Sequence, residues 1–176
     1  SLTKDNTQVR MTAELVIETL QYRIVNLKHV VTTDAADMSA LDKKADDQAH
    51  KIVGLLGAYL KTIAVPEERK LAEKIEPLLN DYRAKTREMR KVSAVDKVKA
   101  KELALHGEAA TAYAAYESAV LAAEEFNEKS AQATTDAMLT TVQGTKIQTL
   151  VVVSIAAPAF ARCSSITWPR IRTTPA

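Results

Sequence analysis

Two arginines are the residues best placed for chemistry in this sequence, because both border a predicted apolar helix face. Arg83 and Arg90 are seven residues apart, so they lie on one face of a helix, with Thr86 between them. Each follows an apolar position, Tyr82 or Met89, and therefore lies at the edge of the core. Guanidinium groups bind carboxylates through paired hydrogen bonds, so a partly buried pair favours a small anion with two or more carboxylates. The alternative is a solvated basic face whose aliphatic stems cover the edge of the core.

Arg23 occupies an apolar position of the first predicted helix, where an unpaired buried charge is costly. The apolar positions of that helix are Val9, Ala13, Val16, Leu20, Leu27 and Val30. Arg23 therefore needs an acidic partner, a ligand or a subunit interface. Gln48 and His106 either fix the helix register or contribute to a ligand site, and Tyr82 belongs either to the core or to that site. The predicted ligand-binding residues are Arg83, Arg90, Arg23, Thr86, Tyr82 and His106.

The sequence carries no motif of a catalytic, metal or cofactor site. None of its histidines, His29, His50 and His106, follows a glutamate by three residues, as the di-metal sites of helical bundles require. Phosphate-binding loops, zinc-protease helices and nucleophile elbows do not occur, and a single cysteine, Cys163, excludes a disulfide framework. We therefore expect no enzyme, no metal and no cofactor. A net charge of +2 also argues against a nucleic-acid partner.

The elements that must position these residues are helices. Only Pro66 and Pro77 precede residue 158, and a sheet-rich fold would need turn residues about every 8–12 positions. Apolar residues spaced by three and four predict four helices. The reversals between them are predicted at residues 32–39, 65–66 and 93–96. Pro77 should kink the third helix near Glu73, because proline removes a backbone donor.

Short connections make consecutive helices antiparallel, so we predict an all-α, up-down-up-down four-helix bundle with long first and fourth helices. The fourth helix has a continuous apolar pattern over residues 105–140. Counting from the turns places Arg83 level with Asn26 and leaves the fourth helix without a partner beyond about residue 131. The residues predicted to be uncovered there are Ala133, Ala137 and Leu139.

An uncharged and mostly apolar run, IQTLVVVSIAAPAFA, begins at Ile147. It is shorter than the roughly 20 residues that a membrane-spanning helix needs. We therefore predict a bundle domain over residues 1–145, the start of a truncated transmembrane helix over 146–157, and a vector-encoded or disordered tail over 158–176. The alternative for the tail is a genuine, flexible basic segment.

An up-down bundle whose last helix runs into a transmembrane segment resembles the four-helix-bundle sensor domain of methyl-accepting chemotaxis proteins. The segment LQYRIVNLKHVV, residues 20–31, is similar to the arginine-bearing stretch of aspartate-type receptors, with Arg23 matching an anion-binding arginine. Lys28 stands where a second arginine is usual, and Thr32 stands where a third is expected. This departure makes the arginine face of the third helix a competing location for the ligand.

The resemblance implies the periplasmic domain of an inner-membrane chemoreceptor, anchored by flanking transmembrane helices, with homodimeric helices and a signal passed down the fourth helix. Arginine-rich members of the family often sense organic acids, so we expect di- and tricarboxylates such as malate or citrate. Small residues on the fourth helix would let a second chain approach closely; they are Ala109, Ala112, Ala119 and Ala123. Two alternatives stay open, namely the sensor domain of a membrane histidine kinase and a structural bundle or coiled-coil interaction protein without a small ligand.

Overall fold

The computed structural model describes the backbone of residues 2–163 and the side chains of residues 6–143. Within that part the chain is helical apart from short connections, and it contains no strand. The helices are α1 (Leu2–Val31), α2 (Ala35–Thr62), α3 (Pro66–Ala72), α4 (Ile75–Ser93), α5 (Lys97–Leu105) and α6 (Glu108–Cys163). Together α3 and α4 form the third leg of a bundle, and α5 with the first part of α6 forms the fourth. The predicted up-down-up-down four-helix bundle is therefore confirmed.

The chain divides into two compact units, Ser1–Thr134 and Thr135–Ala176. The first unit contains the bundle, and the described part of the second unit is helical. The side chains predicted to be uncovered at the end of the fourth leg are exposed, which confirms that prediction; they are Ala133, Ala137 and Leu139. No helix among the residues with described side chains has the length and apolar character of a membrane span. The apolar run from Ile147 lies beyond those side chains, and residues 164–176 lie outside the described backbone.

The predicted limits of the bundle domain at residue 145 and of the tail at residue 158 remain predictions. The helix α6 ends at Cys163, inside the segment assigned to the tail.

Local side-chain chemistry sets the ends of the legs. Asp34 caps α2 by accepting a hydrogen bond from the backbone N–H of Asp37 at 2.9 Å. Because this cap starts α2 at Ala35, the first reversal is shorter than predicted. Asp96 caps α5 in the same way, and Pro66 begins α3, where its missing N–H is not needed.

The third leg breaks at residues 73–74, which confirms the predicted kink near Glu73. Pro77 has no N–H to donate to the carbonyl of Glu73, so the ladder of helical hydrogen bonds is interrupted there. The backbone N–H of Glu73 itself bonds to the carbonyl of Arg69 at 2.9 Å and so closes α3. One proline therefore divides this leg into a short α3 and a longer α4.

The fourth leg also breaks, at residues 106–107, and the prediction of a continuous fourth helix was wrong. A Cβ atom at Gly107 would lie 2.9 Å from the Cα of Leu103, so only glycine fits this close approach. The break turns Leu105, a predicted core position, outward to 55% exposure.

The buried stripe of α1 lies one residue before the predicted one. It contains polar residues that the apolar pattern could not reveal; the buried positions include Gln8, Thr12, Leu15, Thr19, Tyr22 and Asn26. The predicted core residue Leu20 is 45% exposed, as part of a second apolar face of the same helix. Arg23 therefore lies beside the core stripe and is half-buried.

Contacts between the first and third legs join residues that are 64 positions apart, and they correct the predicted levels. The hydroxyl of Tyr22 hydrogen bonds with that of Thr86, and Asn26 accepts from Arg90. Asn26 is thus level with Arg90, about two helical turns from the predicted level with Arg83. The predicted level was wrong because residues were counted back from a first reversal placed at 32–39, whereas α1 already ends at Val31.

At the end of the bundle near the α2–α3 connection, a buried carboxylate is held by neutral partners. Glu68 is 2% exposed and accepts hydrogen bonds from the Gln8 amide at 3.0 and 3.2 Å. The Tyr59 hydroxyl accepts one from Asn127 at 2.7 Å, and the pKa of Tyr59 is raised by burial and by the charge of Glu68. In the described part of the chain, no cation pairs with Glu68. This network connects all four legs.

We predict that Gln8→Ala lowers the free energy of unfolding by about 1–3 kcal/mol, because it leaves the buried carboxylate of Glu68 without its amide donor. Gln21→Ala is the matched control, since Gln21 is exposed on the same helix and should change stability by less than about 0.5 kcal/mol. Urea unfolding followed by circular dichroism measures both. Equal losses in the two variants would contradict this account of the network.

Candidate functional site

Arg90 is buried and is held by groups from two other legs. Its Nε lies 2.8 Å from Asp42, its Nη2 lies 3.3 Å from Asp46, and its Nη1 donates to Asn26 at 3.0 Å. The two aspartates are one turn apart on α2, so they face the same guanidinium. All three nitrogens of Arg90 are therefore engaged. Removing one partner of such a buried group costs far more than the net stability that the group supplies.

The other members of the predicted arginine face differ from Arg90. Arg83 is half-buried, and its guanidinium has no ion pair with any described residue. Arg87 is half-exposed and lies 3.8 Å from Asp46. Between them, Thr86 is buried and donates to the carbonyl of Tyr82 at 3.0 Å. The predicted pair of Arg83 and Arg90 therefore offers one open guanidinium and one that protein carboxylates already occupy.

Arg23 has no carboxylate partner in the described part of the chain. Its Nη2 donates to the carbonyl of Ala104 at 2.6 Å, and its guanidinium carbon lies 4.7 Å from the centre of the Tyr113 ring. Ala104 belongs to the last turn of α5, where backbone carbonyls lack a helical donor. The Nη1 of Arg23 is buried and has no hydrogen-bond partner. The positive charge at this position is therefore only partly compensated.

Tyr82 lies at the centre of a cluster of tyrosines and is fully buried. Its ring contacts those of Tyr22 at 5.3 Å, Tyr113 at 5.4 Å and Tyr116 at 6.0 Å between centroids. Burial raises the pKa of Tyr82, and the charge of Arg23 and a side-chain hydrogen-bonding contact with its guanidinium oppose that rise. The guanidinium therefore faces the hydroxyl, although the contact falls short of a well-formed hydrogen bond.

The Nη1 of Arg23 and the hydroxyl of Tyr82 share one property. Within the described residues, they are the buried side-chain nitrogen and oxygen atoms that lack a partner. The raised pKa keeps the phenol protonated, so its hydroxyl is a donor whose oxygen can also accept from the facing guanidinium. Buried polar atoms without a well-formed hydrogen bond are rare in folded proteins, and they call for an explanation such as a missing water or ligand.

The two remaining polar candidates have separate locations. Gln48 hydrogen bonds through its amide to the carboxylate of Glu18 on α1, which supports its role in helix register. His106 is exposed and ends α5 two residues after Ala104. The structure therefore brings together Arg23 and Tyr82, leaves His106 near the break, and places Arg90 in a network of its own. As a ligand site, the predicted set remains a prediction.

Sequence reasoning missed His29, which is buried between three legs. Its Nδ1 lies 3.2 Å from the hydroxyl of Ser93, and its Nε2 lies 3.5 Å from Asp42. Burial lowers the pKa of His29, helped by the charges of Lys97 and Arg90 and opposed by Asp42. The signal that could have identified it is the polar series Tyr22, Asn26 and His29 at helical spacing.

A groove of about 930 Å³ lies beside α4 on the surface of the first unit. Its lining carries both signs of charge, including Asp42, Asp46, Lys85, Arg87 and Glu108. Lys85 and Glu108 pair across it at 2.5 Å, so the groove is electrostatically balanced and does not form a basic patch. No group of three or more histidine, cysteine or acidic side chains that could hold a metal occurs in the described residues.

One family model matches the chain over residues 4–142, and its description is a four helix bundle sensory module for signal transduction. The match covers nearly all of the residues with described side chains. No curated protein matches the chain.

We predict that the bundle loses stability on acidification through His29. Burial lowers the pKa of His29 below its ordinary 6.5. Between the lowered pKa and 6.5, His29 is therefore protonated in the unfolded chain and neutral in the folded chain. The free energy of unfolding should therefore fall as the pH drops below about 6.5 and should continue to fall until the folded-state pKa is reached.

Urea unfolding between about pH 7.5 and pH 5.5 tests this prediction. His29→Gln should have a smaller slope of stability against pH than the natural chain. His50→Gln is the control, since His50 is exposed on α2 and its replacement should leave the slope unchanged. The assignment fails if the slopes of the natural chain and His29→Gln coincide.

Proposed function

This chain belongs to the four-helix-bundle sensory modules of signal transduction, and we propose that it is the periplasmic sensor domain of a chemoreceptor that binds small organic acids. The observation that carries the ligand class is the half-buried guanidinium of Arg23. It has no carboxylate partner in the described residues, and its Nη1 has no well-formed hydrogen bond, because the group that it faces is the neutral hydroxyl of Tyr82. A carboxylate is the group that best satisfies such a donor, because charge-assisted paired hydrogen bonds are the strongest that arginine forms.

The acids that we propose have two or three carboxylates, as in malate and citrate. The protonated hydroxyl of Tyr82 can donate to the same carboxylate as Arg23, which would supply both buried donors with an acceptor. Arg83 has no ion pair in the described chain, but it shares a face of α4 with Arg90, which pairs with aspartates of α2, whereas Arg23 contacts the fourth leg. The first carboxylate in this proposal is therefore held chiefly by Arg23 and Tyr82, and the face of Arg83 and Arg90 is the competing location.

The other predicted site residues position the binding groups or lie near them in this proposal. Arg90 fixes α4 against α1 and α2 through its two aspartates and contributes no open donor. Thr86 holds the backbone of Tyr82 through a hydrogen bond to its carbonyl. His106 stays a candidate contact at the end of α5. The signal leaves through the last helix, α6, which begins two residues after His106.

We predict that Arg23→Gln weakens the binding of malate and citrate about ten- to a hundredfold, the equivalent of about 1.5–3 kcal/mol for a lost charged hydrogen bond. Arg83→Ala should change both affinities little, because Arg83 lies with Arg90 on the side of α4 that faces α2. Isothermal titration calorimetry of the purified chain gives these affinities directly.

Arg87→Ala is the control for this titration. Arg87 is a half-exposed arginine on α4, the helix of Arg83, and its replacement should change the affinity little. Unchanged affinity in Arg23→Gln would exclude Arg23 and move the site to the face of Arg83 and Arg90. A structural bundle without a small ligand would show no heat with either acid.

We also propose that the module acts as a homodimer that uses an apolar face of α1. The alanines expected to receive a second chain are not available, since Ala109, Ala112 and Ala123 are buried inside the bundle. Exposed large apolar residues instead follow one face of α1 and continue onto α6; they are Ile17, Leu20, Ile24 and Leu121. Such a face on a sensory module favours association with a second copy.

We predict that the double variant Ile17→Ser, Ile24→Ser weakens self-association by at least about a hundredfold, because each isoleucine buried in the interface contributes about 1.5–3 kcal/mol. Val98→Ser is the control, since Val98 is 80% exposed on α5, away from this face. Sedimentation velocity over a range of concentrations measures the effect. A chain that stays monomeric at every concentration, with and without malate, would contradict the homodimer.

A further inference from the structure

The break in the fourth leg is built from a small set of backbone contacts. The N–H groups of His106 and Gly107 both donate to the carbonyl of Glu102 at 2.9 Å, so the second of these bonds reaches five residues back. Gly107 has no room for a Cβ because Leu103 lies too close. Helix α6 then begins at Glu108, which leaves the Ala104 carbonyl in the terminal turn of α5. Carbonyls at such an end need a donor from outside the helix.

The donor comes from another leg of the bundle. Arg23 on α1 donates from Nη2 to the carbonyl of Ala104 at 2.6 Å. This contact spans 81 residues of sequence and joins the first leg to the break in the fourth. The same side chain stacks on Tyr113, which belongs to the first turns of α6. Arg23 therefore contacts both sides of the break.

The guanidinium of Arg23 is divided between two tasks. One nitrogen, Nη2, donates to the Ala104 carbonyl at the break, and the other, Nη1, is buried beside the Tyr82 hydroxyl without a well-formed hydrogen bond. The guanidinium is planar and rigid, so a carboxylate that binds it through two parallel hydrogen bonds reorients the whole group. Because a carboxylate accepts more strongly than a neutral carbonyl, it competes successfully for the nitrogen that now bonds to Ala104.

We propose that the hydrogen bond between Arg23 and Ala104 is a latch on the break between α5 and α6, and that a carboxylate bound by Arg23 releases it. This inference rests on the proposed function, since it assigns a consequence to ligand binding at the same arginine. Release frees the break to change the direction of the first turns of α6 relative to α5. The proposed ligand site and the break in the fourth leg are thus linked through one side chain.

Spin labels on either side of the break test the latch. Lys101 on α5 and Ser118 on α6 are exposed and can be replaced by cysteine in a Cys163→Ser background, which removes the single natural cysteine. Pulsed electron resonance then measures the distance between the two labels. Gly107→Ala is the positive control, because the added methyl group must displace Leu103 and so shift this distance.

Two variants separate the latch from the charge of Arg23. Arg23→Met keeps an apolar stem but has no donor, so without malate its label distance should already match that of the natural chain with malate. Arg23→Gln keeps an amide donor for Ala104 but loses the charge, so its distance should match the natural chain without malate and should not respond at the malate concentration that saturates the natural chain. Circular dichroism on the same samples confirms that each variant is folded.

Calorimetry with malate on the labelled chains distinguishes the two proposals. If malate binds the natural chain but shifts no distance, and Arg23→Met is also unshifted, the latch is wrong while the proposed function stands. If malate does not bind, the proposed function fails and ligand control of the latch fails with it. Should Arg23→Met alone then shift the distance, Arg23 holds the break only as a structural contact, which also overturns the proposal.

Discussion

The structure depends on one constraint, namely that the buried stripe of α1 is largely polar and that most of its polar side chains pair with groups on other legs. Those pairs include Gln8 with Glu68, Thr19 with Tyr116, Tyr22 with Thr86, Asn26 with Arg90 and His29 with Ser93. An apolar seam would tolerate sliding by one turn, whereas an unpaired buried donor costs about 1–3 kcal/mol. The register of α1 against the other legs is therefore set by hydrogen bonds, and the positions of the arginines follow from that register.

Features that depend on local chemistry could be read from the sequence. The three reversals and the kink imposed by Pro77 were predicted, because each depends on residues within a few positions of it. The cap at Asp34 starts α2 earlier than expected. The core stripe of α1 could not be read, because its polar members are satisfied by partners 64 residues away and leave the exposed apolar face as the stronger pattern. The break at Gly107 was missed because one glycine in a long helical pattern is usually tolerated.

The candidate site shows the same limit. In the sequence, Arg23 occupies an apolar position of its helix and Arg90 borders one, so both were candidate anion-binding residues. The partners of their guanidinium groups differ. Arg90 meets Asp42 and Asp46, which lie one turn apart on α2, whereas Arg23 meets a backbone carbonyl and aromatic rings. Which acid meets which arginine is decided by helix register. Periodicity therefore predicted the arginines of interest but could not distinguish the neutralised one from the open one.

Buried polar groups with hydrogen-bond partners and those without lie at different levels of the bundle, and their positions bear on the proposed sensing function. Near one end, Arg90 and His29 lie in a network whose buried groups have partners, and near the other end Glu68 is similarly held. Between these networks lie the unpaired donors of Arg23 and Tyr82, next to the break in the fourth leg. A ligand can shift an equilibrium only by as much as its affinity differs between two states. The difference in ligand affinity between two states of the bundle can be largest at the level of Arg23 and Tyr82, which lies between the two hydrogen-bonded networks. A ligand carboxylate gains hydrogen bonds there without first breaking a complete network.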